Sequence, residues 1–166
     1  DCALRIAALP DSSLTARRLR TVRRCIVAAP AYLEQRGRPQ HPDDLVRHAC
    51  LGYAYLPTPN SWRLTNAKTG EEAVVRLNGP LRANNADALT HAVRAGLGVA
   101  EQPDFIHWQD VAEGRLEVIL PDWSLPKISL HLVAPGGGGP RPARVAALMD
   151  YLAARFAAPL WPGDRV

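Results

Sequence analysis

The sequence predicts an α/β fold, and three observations carry that prediction. Short runs rich in Val, Ile and Leu alternate along the chain with stretches of helical periodicity. Several of the helical stretches bring their own start and stop residues. The composition, 47% hydrophobic and 22% charged over 166 residues, is that of a globular protein that buries a core without disulfide or metal staples. Strands separated by single helices further predict a mostly parallel sheet with helical cover.

Taken in order, residues 1–6 read as the inside of a strand, and 19–29 read as one long strand ending in the apolar run Cys25-Ile26-Val27-Ala28-Ala29. Pro30 suits the first turn of a short helix that Gly37 stops. Pro42-Asp43-Asp44-Leu45 starts another, with acidic residues in its first turn. Trp62-Arg63-Leu64 and Val74-Val75-Arg76-Leu77 form a hairpin across residues 66–70. The clearest element is a helix over 85–95: Asn84 serves as N-cap, Leu89, Ala92, Val93 and Leu97 make the inward stripe, and Gly96 is the stop. Gly98-Val99-Ala100 follows as a buried strand. Pro103 opens a further helix to about Val111, and strands follow at 116–120 and 128–133. The helix over 142–156 carries Val145, Leu148, Met149, Leu152 and Phe156 on one face; residues 136–139 are a glycine loop, and the tail from Ala157 frays.

The chemistry-bearing residues exclude more than they assign. Five histidines (His41, His48, His91, His107, His131) form no metal-ligand spacing and read as scattered surface residues. No serine sits in a nucleophile-elbow motif, and neither a catalytic set nor a cofactor or metal site is expected. Gly96-Leu97-Gly98 matches the start of a dinucleotide loop, but it follows a helix where a phosphate loop follows a strand. Cys2, Cys25 and Cys50 are odd in number and widely spaced, which fits free buried thiols in a reducing, cytoplasmic setting. The net charge of +4 rests on 18 Arg and 2 Lys and is a weak argument for nucleic acid. The cluster Arg17, Arg18, Arg20, Arg23, Arg24 lacks interleaved aromatics and reads as a solvated strand entry. With no run of 18 apolar residues and no signal-peptide pattern, no membrane partner is expected. The strand-like opening without a start methionine carries the expectation that sequence precedes it.

The turn Arg82-Ala83-Asn84-Asn85-Ala86-Asp87 takes a strand straight into a capped helix, presenting backbone N–H groups and a positive dipole end at the edge where α/β sheets collect ligands.

The order of these pieces resembles the effector-binding (substrate-binding) domain of LysR-type transcriptional regulators. The resemblance is carried by Ala29-Pro30-Ala31-Tyr32-Leu33, by Pro42-Asp43-Asp44-Leu45 with His48 and Cys50-Leu51, and by Leu81-Arg82-Ala83-Asn84-Asn85-Ala86-Asp87. It continues through Ala95-Gly96-Leu97-Gly98-Val99-Ala100, Pro103-Asp104-Phe105, Gly114-Arg115-Leu116 and Leu120-Pro121-Asp122-Trp123. It implies two Rossmann-like lobes of the periplasmic-binding-protein (type 2) kind, joined by crossing strands at about 22–29 and 116–120. Residues 30–115 would be the complete second lobe, 1–29 and 116–157 a partial first lobe, and 158–166 a flexible tail. It implies a small-molecule effector in the cleft, self-association as dimer or tetramer, and DNA contact only through a winged helix that this chain lacks. The candidate effector residues are Asn84, Asn85, Glu101, Pro103, Ala31 and Tyr53. Glu101-Gln102-Pro103 departs from the apolar residue and Leu that commonly precede this proline, and a carboxylate there disfavours an anionic effector unless it points to water. The rival classes are a free-standing solute-binding protein and a small α/β enzyme.

Overall fold

The computed structural model describes residues 2–7, 14–55, 58–135, 142–161 and 164; the glycine run at 136–139 lies outside them. In chain order the elements are β1 (Ala3–Ala7), β2 (Leu14–Val22), β3 (Arg24–Ala28), α1 (Pro30–Arg36), a 3-10 turn (Pro42–Arg47), β4 (Cys50–Tyr53), β5 (Ser61–Asn66) and β6 (Glu72–Arg76). Then come β7 (Arg82–Ala83), α2 (Ala86–Arg94), β8 (Val99–Pro103), α3 (Asp104–Ala112), β9 (Glu117–Ile119), β10 (Trp123–Ser124), β11 (Ile128–Pro135) and α4 (Ala143–Ala157). They divide into two compact units, Asp1–Val22 with Lys127–Val166, and Arg23–Pro126.

The Arg23–Pro126 unit is built on a five-stranded sheet ordered β7-β4-β8-β3-β9, beside a three-stranded sheet ordered β10-β5-β6. β7, β4 and β8 run parallel to one another, whereas β3 is antiparallel to both β8 and β9. The expected mostly parallel sheet is therefore mixed. Hydrophobic periodicity reports which face a strand buries and says nothing of its direction, which depends on where the chain enters and leaves. The core sets Trp62, Leu64, Leu89, Val93, Leu33 and Leu51 against the sheet, each at most 1% exposed. The β5–β6 hairpin stands where expected, with Thr65 opposite Glu72.

The long strand expected over 19–29 is two strands. The run breaks at Arg23 because β2 pairs with β11 while β3 pairs with β8 and β9, so the ladder changes partners there.

The other unit is an antiparallel sheet ordered β1-β11-β2, with α4 on one face. Leu132, Ala134, Val145 and Met149 form its core, with Cys2, Leu19 and Leu152 against them. Loosely packed apolar faces would leave Leu130, Leu132 and Val145 open, yet these are 7%, 1% and 5% exposed, and Val145 of α4 shares one core cluster with Leu132 of the sheet. Among the described residues, the large apolar side chains that this unit exposes are instead Leu4, Ile6, Leu148 and Tyr151. In the tail, expected to fray, Asp164 forms a buried ion pair with Arg20, whose guanidinium lies 5.0 Å from the Trp161 ring.

Candidate functional site

Strand polarity gathers the candidate residues. Because β4 is parallel to β7 (Tyr53 opposite Ala83) and to β8 (Cys50 opposite Val99), all three end at one edge of the sheet. Tyr53 closes β4, Asn84 and Asn85 follow β7, and Glu101 and Pro103 lie at the end of β8. This is the edge at which open α/β sheets bind ligands. Ala31 does not join them. It is the second residue of α1, directly after β3, and β3 is antiparallel to β8 with Ala28 opposite Val99, so Ala31 sits at the opposite edge. There its neighbour Tyr32 accepts the Ala49 N–H at 3.0 Å.

The helix cap is Asn85, not Asn84. Asn85 holds extended φ and ψ of −122° and 125°, and its side chain accepts the Asp87 N–H at 2.8 Å. Both asparagines suit a cap, and the choice falls on the residue at which the backbone turns helical. Asn84 is thereby left to donate to the Tyr55 hydroxyl at 3.5 Å, and the Tyr53 and Tyr55 rings meet edge-on with centroids 6.0 Å apart. The exposed edge thus offers two phenol rings, a carboxamide and the positive end of α2.

Arg82 and Gln102 stand in stretches that the sequence singles out but are not among the candidate effector residues. The stem of Arg82 lies against Gly52, where an added Cβ would come within 2.9 Å of its Cγ, and this places a guanidinium beside the same edge. A glycine inside a strand run, as in Cys50-Leu51-Gly52-Tyr53, is the signal for such close approach. Gln102 is 1% exposed and packs against α2.

Glu101 does not face solvent. Its carboxylate pairs with Arg24, both side chains under 10% exposed, and burial pushes its pKa above the usual carboxylate range although Arg24 pulls the other way. A cationic ligand would have to displace Arg24, and with its charge paired the carboxylate no longer argues against an anionic effector.

Other charged groups also differ from expectation. Of the arginine cluster, Arg17 pairs with Asp150, Arg20 with Asp164 and Arg24 with Glu101. Arg18 and Arg23 make no ion pair among the described residues. The histidines are not all at the surface: His48 and His107 are each 3% exposed. Burial drives the His107 pKa down to about 4 and lowers that of His48, so both are neutral at pH 7 and tolerated inside. Cys50 is buried, which raises its thiol pKa to about 12, and Cys25 is raised by burial as well. Neither is an activated nucleophile. No group of three or more His, Cys, Asp or Glu is placed to hold a metal among the described residues, and no helix among them is long and apolar enough to cross a membrane.

The LysR substrate binding domain family matches residues 1–157. The chain belongs to that family. Relatives include the transcriptional regulator PtxR of Pseudomonas aeruginosa, 36% identical over 152 residues, and an HTH-type transcriptional regulator of Xanthomonas campestris, 34% identical over 160. These alignments cover 92% and 94% of this chain but 48% and 46% of the relatives, so the LysR domain described here spans about half their length. Among solved structures, the regulatory domain of AphB from Vibrio vulnificus is 32% identical with TM-score 0.79, covering 93% of this chain and 75% of that one. The CrgA regulatory domain of Neisseria meningitidis, a LysR-type transcriptional regulator, is 28% identical with TM-score 0.78, covering 94% and 75%. The fold is accordingly the periplasmic-binding-protein-like type 2 α/β fold of LysR regulatory domains, as the residue order implied.

Proposed function

We propose that this domain senses a small-molecule effector for a LysR-type, DNA-binding transcriptional regulator in the cytoplasm, and that it catalyses nothing. The observation that carries the site is the shared end of β4 and β7 running into the Asn85-capped start of α2, with Tyr53, Tyr55 and Arg82 beside it. A helix start and a guanidinium select a carboxylate or other oxoanion, and the phenol rings select a flat apolar body. The effector would act by binding one of two conformations of a self-associating regulator more tightly than the other. DNA would be held by a winged helix outside this chain.

A full-length regulator and its effector test the site. Asn85→Asp keeps a cap residue but sets a negative charge where the anion would bind. It is expected to raise the effector midpoint about tenfold, the loss of one charge-assisted hydrogen bond, with the melting temperature unchanged. Asn85→Ala should also remove about 1 kcal/mol of stability, whereas Asn84→Ala should shift the midpoint alone. Dose–response curves that none of the three variants moves would reject this edge as the site and leave family membership intact.

The arginine pairing makes a separate prediction. With Arg17, Arg20 and Arg24 neutralised by acids, the chain alone should bind duplex DNA weakly and without sequence preference. Its log affinity should fall with log salt at a slope no steeper than about −2, since each phosphate neutralised adds about −0.9. Fluorescence anisotropy against a salt series measures this, and a steeper slope on one operator sequence would count against it.

A further inference from the structure

We infer that Glu101 and Gln102, neighbours on β8, form a two-sided relay coupling the first turn of α2 to the points where the chain enters and leaves the Arg23–Pro126 unit. Successive side chains on a strand point to opposite faces, so the two residues reach different partners. On one face the Gln102 amide donates to the Ala86 carbonyl at 3.2 Å, and its oxygen lies 2.9 Å from the Thr90 hydroxyl. Ala86 opens α2, directly after the cap residue Asn85. On the other face Glu101 pairs with Arg24, whose Nε and Nη2 donate to the Pro126 carbonyl at 3.1 and 2.6 Å. Pro126 is the last residue of the unit and Arg24 the second. The residue after β8 completes the arrangement, because the Asp104 N–H donates to the Arg23 carbonyl at 2.9 Å.

Every link is therefore a hydrogen bond or ion pair, and the two halves join through one peptide unit of a central strand. Stability alone is a poor reason for this arrangement. A buried ion pair repays little of its desolvation, and apolar residues of similar volume would fill the space at lower cost. Directional contacts of this kind instead fix geometry, so a tilt of the first turn of α2 reaches the chain crossings without repacking the core. The relay deepens the effector reading, because Asn85 caps that same turn. Its test uses no ligand, so failure of one leaves the other standing.

Native-state hydrogen exchange on the 166-residue chain reads the coupling. Gln102→Leu should speed exchange at residues 127–130, and Arg24→Gln should speed it at 86–90, each by about threefold, a coupling at the low end for packed networks. The double variant should be no faster at either segment than the faster single variant, since either break severs the same route. Glu101→Gln, which retains a hydrogen-bond acceptor for Arg24, should fall between wild type and Arg24→Gln. Val93→Ala loosens the core elsewhere and should speed exchange across the unit, including 61–76. Variants that loosen only their own neighbours, effects that add in the double variant, or a Gln102→Leu profile matching that of Val93→Ala would each overturn the relay.

Discussion

Gly98→Ala is expected to abolish folding of the Arg23–Pro126 unit. Gly98 sits between α2 and β8, and an added Cβ would lie far inside van der Waals contact with the Ala49 carbonyl oxygen and 3.0 Å from its carbonyl carbon and its Cβ. The neighbouring Val99 N–H bonds that same carbonyl at 2.9 Å. Relief therefore requires moving backbone at the point where β8 pairs with β4, because no flexible side chain is available to give way. The cost is expected to reach about 4 kcal/mol or more, comparable with the whole stability of a small unit. Gly70→Ala is the contrast: φ is +75° there and nothing lies within 4 Å of an added Cβ, so only left-handed backbone strain of about 1 kcal/mol is expected. Circular dichroism melts of the two variants decide the matter. A Gly98→Ala chain as stable as Gly70→Ala would mean that the close approach is not what the glycine serves.

That result also bears on how the sequence is read. Gly96-Leu97-Gly98 matches the opening of a phosphate-binding loop, and its helix-then-strand context argues against that chemistry. The structure supplies the physical reason for the glycines: Gly96, at φ +75°, ends α2, and Gly98 lets β8 approach Ala49. Elements whose determinants are local were legible in this way. Helix α2 carries its stripe and stop in the sequence, the β5–β6 hairpin its turn, and α4 its apolar face. Three features were not legible because their determinants are distant. The direction of β3 depends on how the chain enters the unit, and with it the placement of Ala31 at the far edge. The burial of Glu101 depends on Arg24, 77 residues away in sequence. His48 and His107 read as surface residues because the type is polar, while a neutral imidazole avoids the cost of burying a charge. The asparagine pair failed differently, since either residue could cap α2 and only backbone dihedrals separate them.

The candidate edge itself was half legible. The strand-to-helix turn at residues 82–87 was visible as a ligand-type turn, and Tyr53, Asn84 and Asn85 do stand together there. Tyr55 joins them only through a loop contact, and the approach of Arg82 to Gly52 comes from strand pairing, neither of which a local pattern encodes.

Asp110→Asn is expected to cost about 2–4 kcal/mol, the loss of hydrogen bonds between a buried carboxylate and two guanidinium groups. Asp110 is fully buried on α3, with Arg94 Nε at 2.8 Å and Nη2 at 2.5 Å from Oδ2, and Arg115 Nε at 2.6 Å from Oδ1. Its backbone carbonyl accepts the Arg115 and Leu116 N–H groups at 2.8 and 3.1 Å. One residue thus ties the end of α2 to α3 and to the entry of β9. The estimate stays in the lower part of the range for buried pairs because Arg94 and Arg115 are 39% and 45% exposed and water recovers part of their solvation. Burial alone would raise the Asp110 pKa, but the Arg94 and Arg115 hydrogen bonds outweigh it and hold the carboxyl below its usual range. A depressed carboxylate contributes its stability above the unfolded value of about 3.9 and loses it as pH falls through the lower folded value. The gap between wild type and Asp110→Asn should therefore stay constant from about pH 5 to pH 8 and close only below about pH 4. Arg94→Gln and Arg115→Gln should each cost less than Asp110→Asn, and their double variant should approach it, because one carboxylate serves both. Urea titrations across that pH series measure all four variants. A gap that persists unchanged at pH 3, or an Asp110→Asn cost under about 1 kcal/mol, would show that the carboxylate does not hold these elements together.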